Sequence, residues 1–421
     1  MSARVIGESD DGLREDRTRL AETLRDSGRA GAVVEAAFLA VPRHLFLPKV
    51  EAREAYRDAA ITVKSDAEGR PVSSSTQPGM MAIMLEQLGL AAGQRVLEIG
   101  TGTGYNAAVL ARLVGDSGSV VTIDVEADLV EQARANLAAA GVSGVTVVWG
   151  DGADGVPAYA PYDRIIVTAG AWDLASQWLA QLNADGRIVL PLSVRGTQLS
   201  VVFECTGSGI WVSRSAQRCR FIRMTGASSG PEAVLPLGPR PGLFALVTDG
   251  HAPEADALYE ALSGPATEIS TGLLVAGIAE LSDLDLWLTV TEPGLTKISF
   301  MGRRERPADE APQRFAGLAR LGGYVRCGGS GEFGVAAVTS SPGATEHQGG
   351  SVTFTGYGAG GAALSGHLAA RAAVWDGLGR PGADSLELSV YTAGTIPPST
   401  DATIIQRPNT TLVATWNQTA S

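Results

Sequence analysis

Val96-Leu97-Glu98-Ile99-Gly100-Thr101-Gly102-Thr103-Gly104-Tyr105, followed by Val120-Val121-Thr122-Ile123-Asp124, decides how this chain folds. An apolar strand runs into a turn with glycine at alternate positions, and a helix opens directly behind it. Glycine reaches positive φ without strain and lets a ligand come close to the backbone. The second strand ends on Asp124, twenty residues beyond Gly104, where a carboxylate can accept both hydroxyls of a ribose. The two strands together call for a cofactor that contains a ribose.

Spacing bears on which cofactor. A dinucleotide fingerprint counted from Gly100 would put its third small residue on Tyr105, and counted from Gly102 on Ala107, so a nicotinamide reading is weakened without being excluded. Glu98-x-Gly100-x-Gly102-x-Gly104 has the form of an S-adenosyl-L-methionine site, in which no pyrophosphate sits on the helix and Glu98 can face a cationic ligand. The remaining segments extend the same sheet. Val145 to Trp149 reads as a third strand ending on Asp151-Gly152, where adenine contacts occur; Tyr162 to Ala169 gives a fourth and Gly186 to Pro191 a fifth. Strands alternating with amphipathic helices such as Leu129 to Ala140 predict a doubly wound α/β sheet of the Rossmann-like kind. Ligands of such sheets lie beyond the carboxyl ends of the strands.

Residues from about 30 to 226 resemble protein-L-isoaspartate O-methyltransferases. The resemblance is carried by Val41-Pro42-Arg43-His44-Leu45-Phe46-Leu47-Pro48, Ser75-Thr76-Gln77-Pro78, the glycine turn, Gly150-Asp151-Gly152, Ala160-Pro161-Tyr162-Asp163 and Gly186-Arg187-Ile188-Val189-Leu190-Pro191. It implies methyl transfer from S-adenosyl-L-methionine to a side-chain carboxylate, with S-adenosyl-L-homocysteine as product, and no metal. It also implies a helical N-terminal lid over the cofactor and a position for Thr225 beside it. The family's acceptor turn reads Thr-Ile-Ser-Gln-Pro, its serine being regarded as the active-site hydroxyl, whereas this chain has Ser74-Ser75-Thr76-Gln77-Pro78. Thr76 thus takes the catalytic position, with a hydroxyl but more restricted rotamers.

That change, and the long chain beyond Thr225, are similar to the extended methyltransferases of ribosomal peptide biosynthesis, the FxLD lanthipeptide type. This resemblance implies an aspartate in a cyclised precursor peptide as the acceptor, its ester closing to a succinimide that opens to aspartate or isoaspartate. Repair of isoaspartyl residues in damaged proteins is the alternative, and a non-catalytic S-adenosylmethionine-binding scaffold is a third reading.

The chemistry asks little of the side chains. A carboxylate with a pKa of about 4 is already ionised near neutrality, so no general base is required. This agrees with four scattered histidines, His44, His251, His347 and His367. Orientation is what the protein must supply, and near-attack alignment is worth roughly 7 to 11 kcal/mol. Thr76 would donate to the acceptor carboxylate, and Ser73, Ser74 and Ser75 would surround the methionine part of the cofactor. The competing reading of the serines is a solvated polar loop. The expected cofactor set is therefore Ser73 to Thr76, Glu98, Gly100, Thr101, Gly102, Gly104, Asp124, Asp151, Gly152 and Thr225.

Composition sets the outer limits. The 421 residues suggest two or three domains: a lid and acceptor turn over 1–78, a methyltransferase domain over 79–228 and, after a linker from Gly226 to Pro241, a C-terminal α+β unit over 240–421 with its own core and a part in peptide recognition. A formal charge of −12 without a Lys/Arg run gives no footprint for nucleic acid. Arg220 and Arg223 are candidates for a local basic patch that would receive an acidic substrate. Cys205, Cys219 and Cys327 lack metal spacing, and no apolar run is long enough for a signal core or a membrane span. A cytoplasmic enzyme acting on a peptide is expected, with its oligomeric state open.

Within the chain, residues 1 to 14 read as disordered before a helix starting near Thr18. Val33 to Ala40 reads as a helix halted by Pro42, Met80 to Leu90 as the helix after the hydroxyl turn, and Gln198 to Cys205 with Ile210 to Ser215 as a hairpin around Thr206-Gly207-Ser208-Gly209. Further on, Pro253 to Leu262 and Gly366 to Leu378 read as helices, Ser282 to Leu288 as helix or strand, and Lys297 to Met301, Tyr324 to Cys327, Gly334 to Thr339 and Leu386 to Tyr391 as strands. The glycine-rich loop Gly356 to Gly361 reads as a flexible connection.

Overall fold

The computed structural model describes residues 10–207, 209–238, 243–247, 254–300, 323–327, 333–340, 350–395 and 402–417. Residues 1–9, Ser208, the linker end at 239–241, Pro253, Met301, His251 and His347 lie outside them, as does the side chain of Cys327.

The chain opens with two helices, α1 (Asp10–Asp26) and α2 (Ala32–Ala40), then a β-hairpin of β1 (Ile61–Ser65) and β2 (Pro71–Ser75), and α3 (Pro78–Leu88). The first helix therefore starts several residues before the expected Thr18, inside the stretch read as disordered. Pro78 stands at the first position of α3, where a missing N–H costs nothing. The alternation follows with β3 (Arg95–Ile99), α4 (Tyr105–Val114), β4 (Ser119–Asp124), α5 (Ala127–Ala139), β5 (Val145–Trp149), β6 (Tyr162–Val167), α6 (Ser176–Ala180), β7 (Leu182–Val194), β8 (Thr197–Cys205) and β9 (Trp211–Arg218).

Strands β7, β6, β3, β4 and β5 pair in parallel in that spatial order, and β8 and β9 continue the sheet antiparallel from β7. Side chains alternate between its two faces. Val96, Val120, Ile166 and Val189 meet Phe38, Met84 and Val109 in one core, while Leu97, Ile99, Val121, Ile123, Ile165 and Ile188 meet Leu174 and Trp178 in the other. The chain runs outward from β3 through β4 to β5 and then returns to β6 on the other side of β3. This reversal opens a crevice at the carboxyl ends of β3, β4 and β6.

A second, seven-stranded antiparallel sheet follows. It contains β10 (Ala233–Pro236), β11 (Leu243–Val247), β12 (Ala266–Val275), β13 (Leu295–Phe300), β14 (Gly323–Cys327), β15 (Phe333–Ser340) and β16 (Gly350–Tyr357), with helices α7 (Ala255–Ser263), α8 (Ile278–Thr291) and α9 (Gly361–Gly377). The glycines ahead of α9 form a packed crossing and not a flexible connection: a Cβ on Gly334 would lie 2.5 Å from the Gly360 carbonyl oxygen.

The structure corrects the expectation that 240–421 stands apart. After α9 the chain returns to the first sheet, where β17 (Leu386–Thr392), β18 (Thr403–Gln406) and β19 (Thr410–Trp416) extend it beyond β9. Leu386, Leu388, Val390, Leu412 and Ala414 join the same core as Leu97 and Ile99. Helix α8 joins the two units: Leu286 and Val290 belong to that core, while Leu284, Trp287 and Leu288 face the core of the second sheet. Apolar on opposite sides, it has the pattern of a helix buried between layers.

Candidate active site

The crevice is a cavity walled by the glycine turn, the ends of β4, β5 and β6, the strand β2 and the segment Phe221 to Thr225. It gathers residues far apart in sequence. Ser73, Ser74, Ser75, Thr76, Glu98, Gly100, Thr101, Gly102, Asp124, Asp151, Gly152 and Thr225 all line it. Gly104 does not; it caps α4 with φ of 84° and so sets the helix direction. Gly100 and Gly102 also have positive φ, 101° and 52°, and a Cβ on Gly100 would fall 2.5 Å from Thr168 Oγ1. The turn is therefore fixed by backbone conformation and by space.

Asp124 sits at the end of β4. Its Oδ2 accepts from Gly102 N at 2.9 Å and its Oδ1 from Glu126 N at 3.1 Å, which holds the carboxylate plane while each oxygen retains a second lone pair. Burial raises its pKa, against the lowering by those amides. This is a fit for a vicinal diol, whose hydroxyls would donate to the carboxylate.

Glu98, expected as a carboxylate facing a cation, borders the cavity and is also tied to its neighbours. It is fully buried, and each oxygen holds one bond: Oε1 accepts from Asn106 Nδ2 at 2.7 Å and Oε2 from Thr122 Oγ1 at 2.6 Å. Burial pushes its pKa up to about 7, partly offset by those two bonds, with the charge of Asp124 adding to the rise. Glu98 thus ties β3 to α4 and β4. Asp151 is engaged too, its Oδ1 accepting from Ala153 N at 2.9 Å and its Oδ2 from Ala227 N at 3.0 Å. It thereby draws the segment after Thr225 over the end of β5.

The serine run is a strand. Ser73, Ser74 and Ser75 in β2 pair with Lys64, Thr62 and Ile61 of β1, so the loop reading gives way to a ladder of backbone bonds. Ser75 is buried, while Ser73, Ser74 and Thr76 are partly exposed on the cavity. None of the described groups engages the Thr76 hydroxyl. Helices α1 and α2 pack on the sheet face and on α4 through Phe38 and Tyr105. Neither helix, expected as a lid, lines the cavity; within the described N-terminal part, only Val72 to Thr76 do.

Phe221 to Thr225, expected near the cofactor, all line the cavity, whereas sequence reasoning missed Asn106 and Thr168. Thr168 had a usable signal, since it follows directly on β6 at the ligand-bearing end of the sheet. Its Oγ1 donates to Gly100 O at 2.7 Å and bolts the glycine turn to β6. Arg223, read as half of a basic patch, is tied to Glu232 at 3.6 Å and donates to its carbonyl at 2.9 Å. It lines the crevice and, together with Arg220, a second cavity between the two sheets. His44 meets the Tyr56 hydroxyl at 2.6 Å and His367 meets Glu292 at 2.6 Å, both away from the crevice.

Residues 15–229 match the family model described as Protein-L-isoaspartate(D-aspartate) O-methyltransferase (PCMT). The chain belongs to this family. Its members are S-adenosyl-L-methionine-dependent carboxyl O-methyltransferases of proteins, and the α/β sheet described above is their fold. Protein-L-isoaspartate O-methyltransferase 2 of Archaeoglobus fulgidus is 41% identical over 212 residues, which cover 50% of this chain and 94% of that protein. The Methanopyrus kandleri enzyme is 40% identical over 224 residues, covering 52% and 96%. A solved structure of a putative protein-L-isoaspartate O-methyltransferase from Plasmodium falciparum with S-adenosyl-L-homocysteine is 18% identical, covers 50% of this chain and 98% of that one, and has a TM-score of 0.44. No described helix is long and apolar enough to cross a membrane.

Proposed function

We propose that this chain esterifies the free carboxylate of isoaspartyl residues in polypeptides, as a repair enzyme does, using S-adenosyl-L-methionine bound in the crevice. The observation that carries the reading is the meeting of an unengaged Thr76 hydroxyl and the Asp124 carboxylate on the walls of one cavity. Bound there, S-adenosyl-L-methionine supplies an electrophilic methyl group on a sulfonium. The chain's own residues orient and shield. Asp124 would accept from the ribose, and the glycine turn, Ser73 to Ser75 and Thr225 would border the remainder of the cofactor. Thr76 Oγ1 would donate to one oxygen of the acceptor carboxylate and leave the other to form the new bond to the methyl carbon, the methyl–sulfur bond breaking and S-adenosyl-L-homocysteine leaving. The acceptor arrives ionised, so no proton has to be removed.

A second reading, methylation of an aspartate in a cyclised ribosomal precursor with a succinimide or isoaspartate as the final product, draws on Thr76 in place of serine. The long C-terminal region was its other support. That support weakens once β17 to β19 are seen as strands of the catalytic sheet, because a structural duty already accounts for them. Relatives matched over nearly their full length carry the isoaspartyl name, which favours repair. The scaffold reading leaves the free Thr76 hydroxyl without a purpose. Incubation with S-adenosyl-L-methionine and three peptides, isoaspartyl, linear aspartyl and macrocyclic aspartyl, separates these readings by mass spectrometry. The isoaspartyl peptide is expected to gain one methyl group at least about tenfold faster than the others. Preference for the macrocycle would replace repair with peptide maturation, and no methyl gain on any peptide would sink both.

A further inference from the structure

Behind the acceptor turn lies a buried cation to which the methyl-transfer reading assigns no task. Arg43 has no exposed surface. Its Nη1 donates to Ala55 O at 2.9 Å, and its Nη2 donates to Thr76 O at 2.9 Å and to Ser75 Oγ at 3.1 Å. The guanidinium carbon stands 5.7 Å from the centre of the Tyr105 ring, which itself borders the cavity. The oxygens that accept from it are uncharged, and its Nε is buried without a partner. Asp58 acts on it only through space and is itself held by Arg29 at 2.6 Å and by Gly79 N at 2.7 Å. Burying a guanidinium among carbonyls, with no carboxylate in contact, is costly unless another charge offsets it. Burial accordingly lowers its pKa.

We propose that Arg43 is a positioning residue of the acceptor site, clamping the Ser75–Thr76 backbone from behind and presenting a fixed positive charge that favours an ionised carboxylate at Thr76. This rests on the methyl-transfer reading above and adds a specificity to it. The guanidinium does not reach the cavity; it acts through the Thr76 peptide and through its field. Wall and charge are provided by one side chain, so the hydroxyl that orients the acceptor is held where the acceptor's charge is stabilised. A carboxylate one residue's breadth from the guanidinium, at the effective dielectric of about 20 that suits protein sites, gains roughly tenfold to a hundredfold in affinity over a neutral amide of the same shape. An isoaspartyl peptide and its isoasparagine analogue differ in that one respect.

The test measures binding of both peptides to full-length protein saturated with S-adenosyl-L-homocysteine, in wild type, Arg43→Gln, Arg43→Lys and Ser75→Ala. Wild type is expected to prefer the carboxylate peptide by about tenfold or more, Arg43→Gln to bind both alike, and Arg43→Lys to restore the preference. Ser75→Ala, which removes one clamp bond and no charge, is expected to weaken both peptides by a similar factor and keep their ratio. A purely structural role would lower thermal stability and affinity for both peptides while leaving the ratio untouched, and that result in Arg43→Gln would overturn the proposal. If Arg43→Gln does not fold, the wild-type ratio still decides: equal affinity for the two peptides refutes the charge role. Absence of methyl gain on the isoaspartyl peptide would instead strike the enzymatic reading, because the binding ratio is measured without turnover.

Discussion

Replacing Glu98 by glutamine tests whether the carboxylate at the head of the glycine turn is kept for stability or for ligand charge. The side chain is fully buried, so solvent does not screen its charge. Its pKa lies at about 7 where an ordinary glutamate has 4.5, chiefly through burial. A folded state that holds a proton more tightly than the unfolded chain is most stable below the lower of these values. It loses stability as pH rises from 4.5 to about 7 and is level above. At 1.36 kcal/mol for each pKa unit the loss is roughly 3 kcal/mol. Glutamine carries no such penalty. Its oxygen can accept from Asn106 Nδ2, and its amide can donate to Thr122 Oγ1, which then donates to Thr101 Oγ1, 2.7 Å away. Losing charge-assisted bonds costs about 1 kcal/mol, so Glu98→Gln should be more stable than wild type by about 1 to 2 kcal/mol at pH 8 and nearly equal to it at pH 4.5. Urea unfolding of both proteins across this range, without cofactor, reads the difference directly. Parallel stability curves, or a glutamine variant weaker at pH 8, would refute the reasoning. The same variant also probes function: if the charge serves a sulfonium, affinity for S-adenosyl-L-methionine should fall more than affinity for S-adenosyl-L-homocysteine, whose sulfur is a neutral thioether.

Removing the carboxylate of Asp124 with Asp124→Ala frees Gly102 N and Glu126 N and deletes the diol acceptor; calorimetry with S-adenosyl-L-homocysteine should show a loss of about 2 to 4 kcal/mol, and a loss below threefold in affinity would remove Asp124 from the site. Thr76→Val keeps the branched shape without the hydroxyl, so kcat on an isoaspartyl peptide is expected to drop by about tenfold to a hundredfold with cofactor affinity unchanged, while Thr76→Ser stays active. Equal kcat in all three proteins would mean that the hydroxyl takes no part. A chain ended at residue 238 loses β11 to β19 and, with them, seven buried apolar side chains of the main core: Leu286, Val290, Leu386, Leu388, Val390, Leu412 and Ala414. The family model ends at residue 229, before this region, so the experiment asks whether the β9 edge of this chain has become dependent on it. The expected fragment self-associates, or melts far below the full chain, because an unpaired strand edge and a stripped core are both exposed. A monomeric fragment with the thermal transition of the full chain would show the returning strands to be dispensable.

What could be read in the sequence was local. The glycine turn, the strand ending on Asp124 and the helix behind Pro78 each announce themselves within a dozen residues, because φ restrictions, alternation and capping act over that distance. The serine run did not: its strand is polar, and what holds it is the ladder to β1 and a bond from Arg43, 32 positions away from Ser75. Helix α8 read ambiguously because Leu284 and Trp287 face one core while Leu286 and Val290 face another, which erases the single apolar stripe by which an amphipathic helix is known. The fate of Glu98 was hidden for a related reason, since its partners Asn106 and Thr122 become visible only once α4 and β4 are packed on β3.

The returning strands are the extreme case, and they bear on the active site. Leu388 N donates to Ser213 Oγ across 175 positions of sequence, and no periodicity reports such a pairing. From the turn between β18 and β19, Arg407 stacks on Trp172 and donates to Ser193 O, while Asp173 accepts from Asn409 N and Thr410 Oγ1. Just before Trp172 and Asp173, Gly170 exchanges backbone bonds with the other wall of the cavity, its N donating to Ile222 O at 2.7 Å and its O accepting from Met224 N at 2.9 Å. The C-terminal strands are thus two hydrogen-bonded steps from the segment that ends in Thr225. A region that reads in sequence as an appended module is, in the folded chain, part of the support that holds the cavity wall, so changes in it should reach cofactor binding as well as peptide choice.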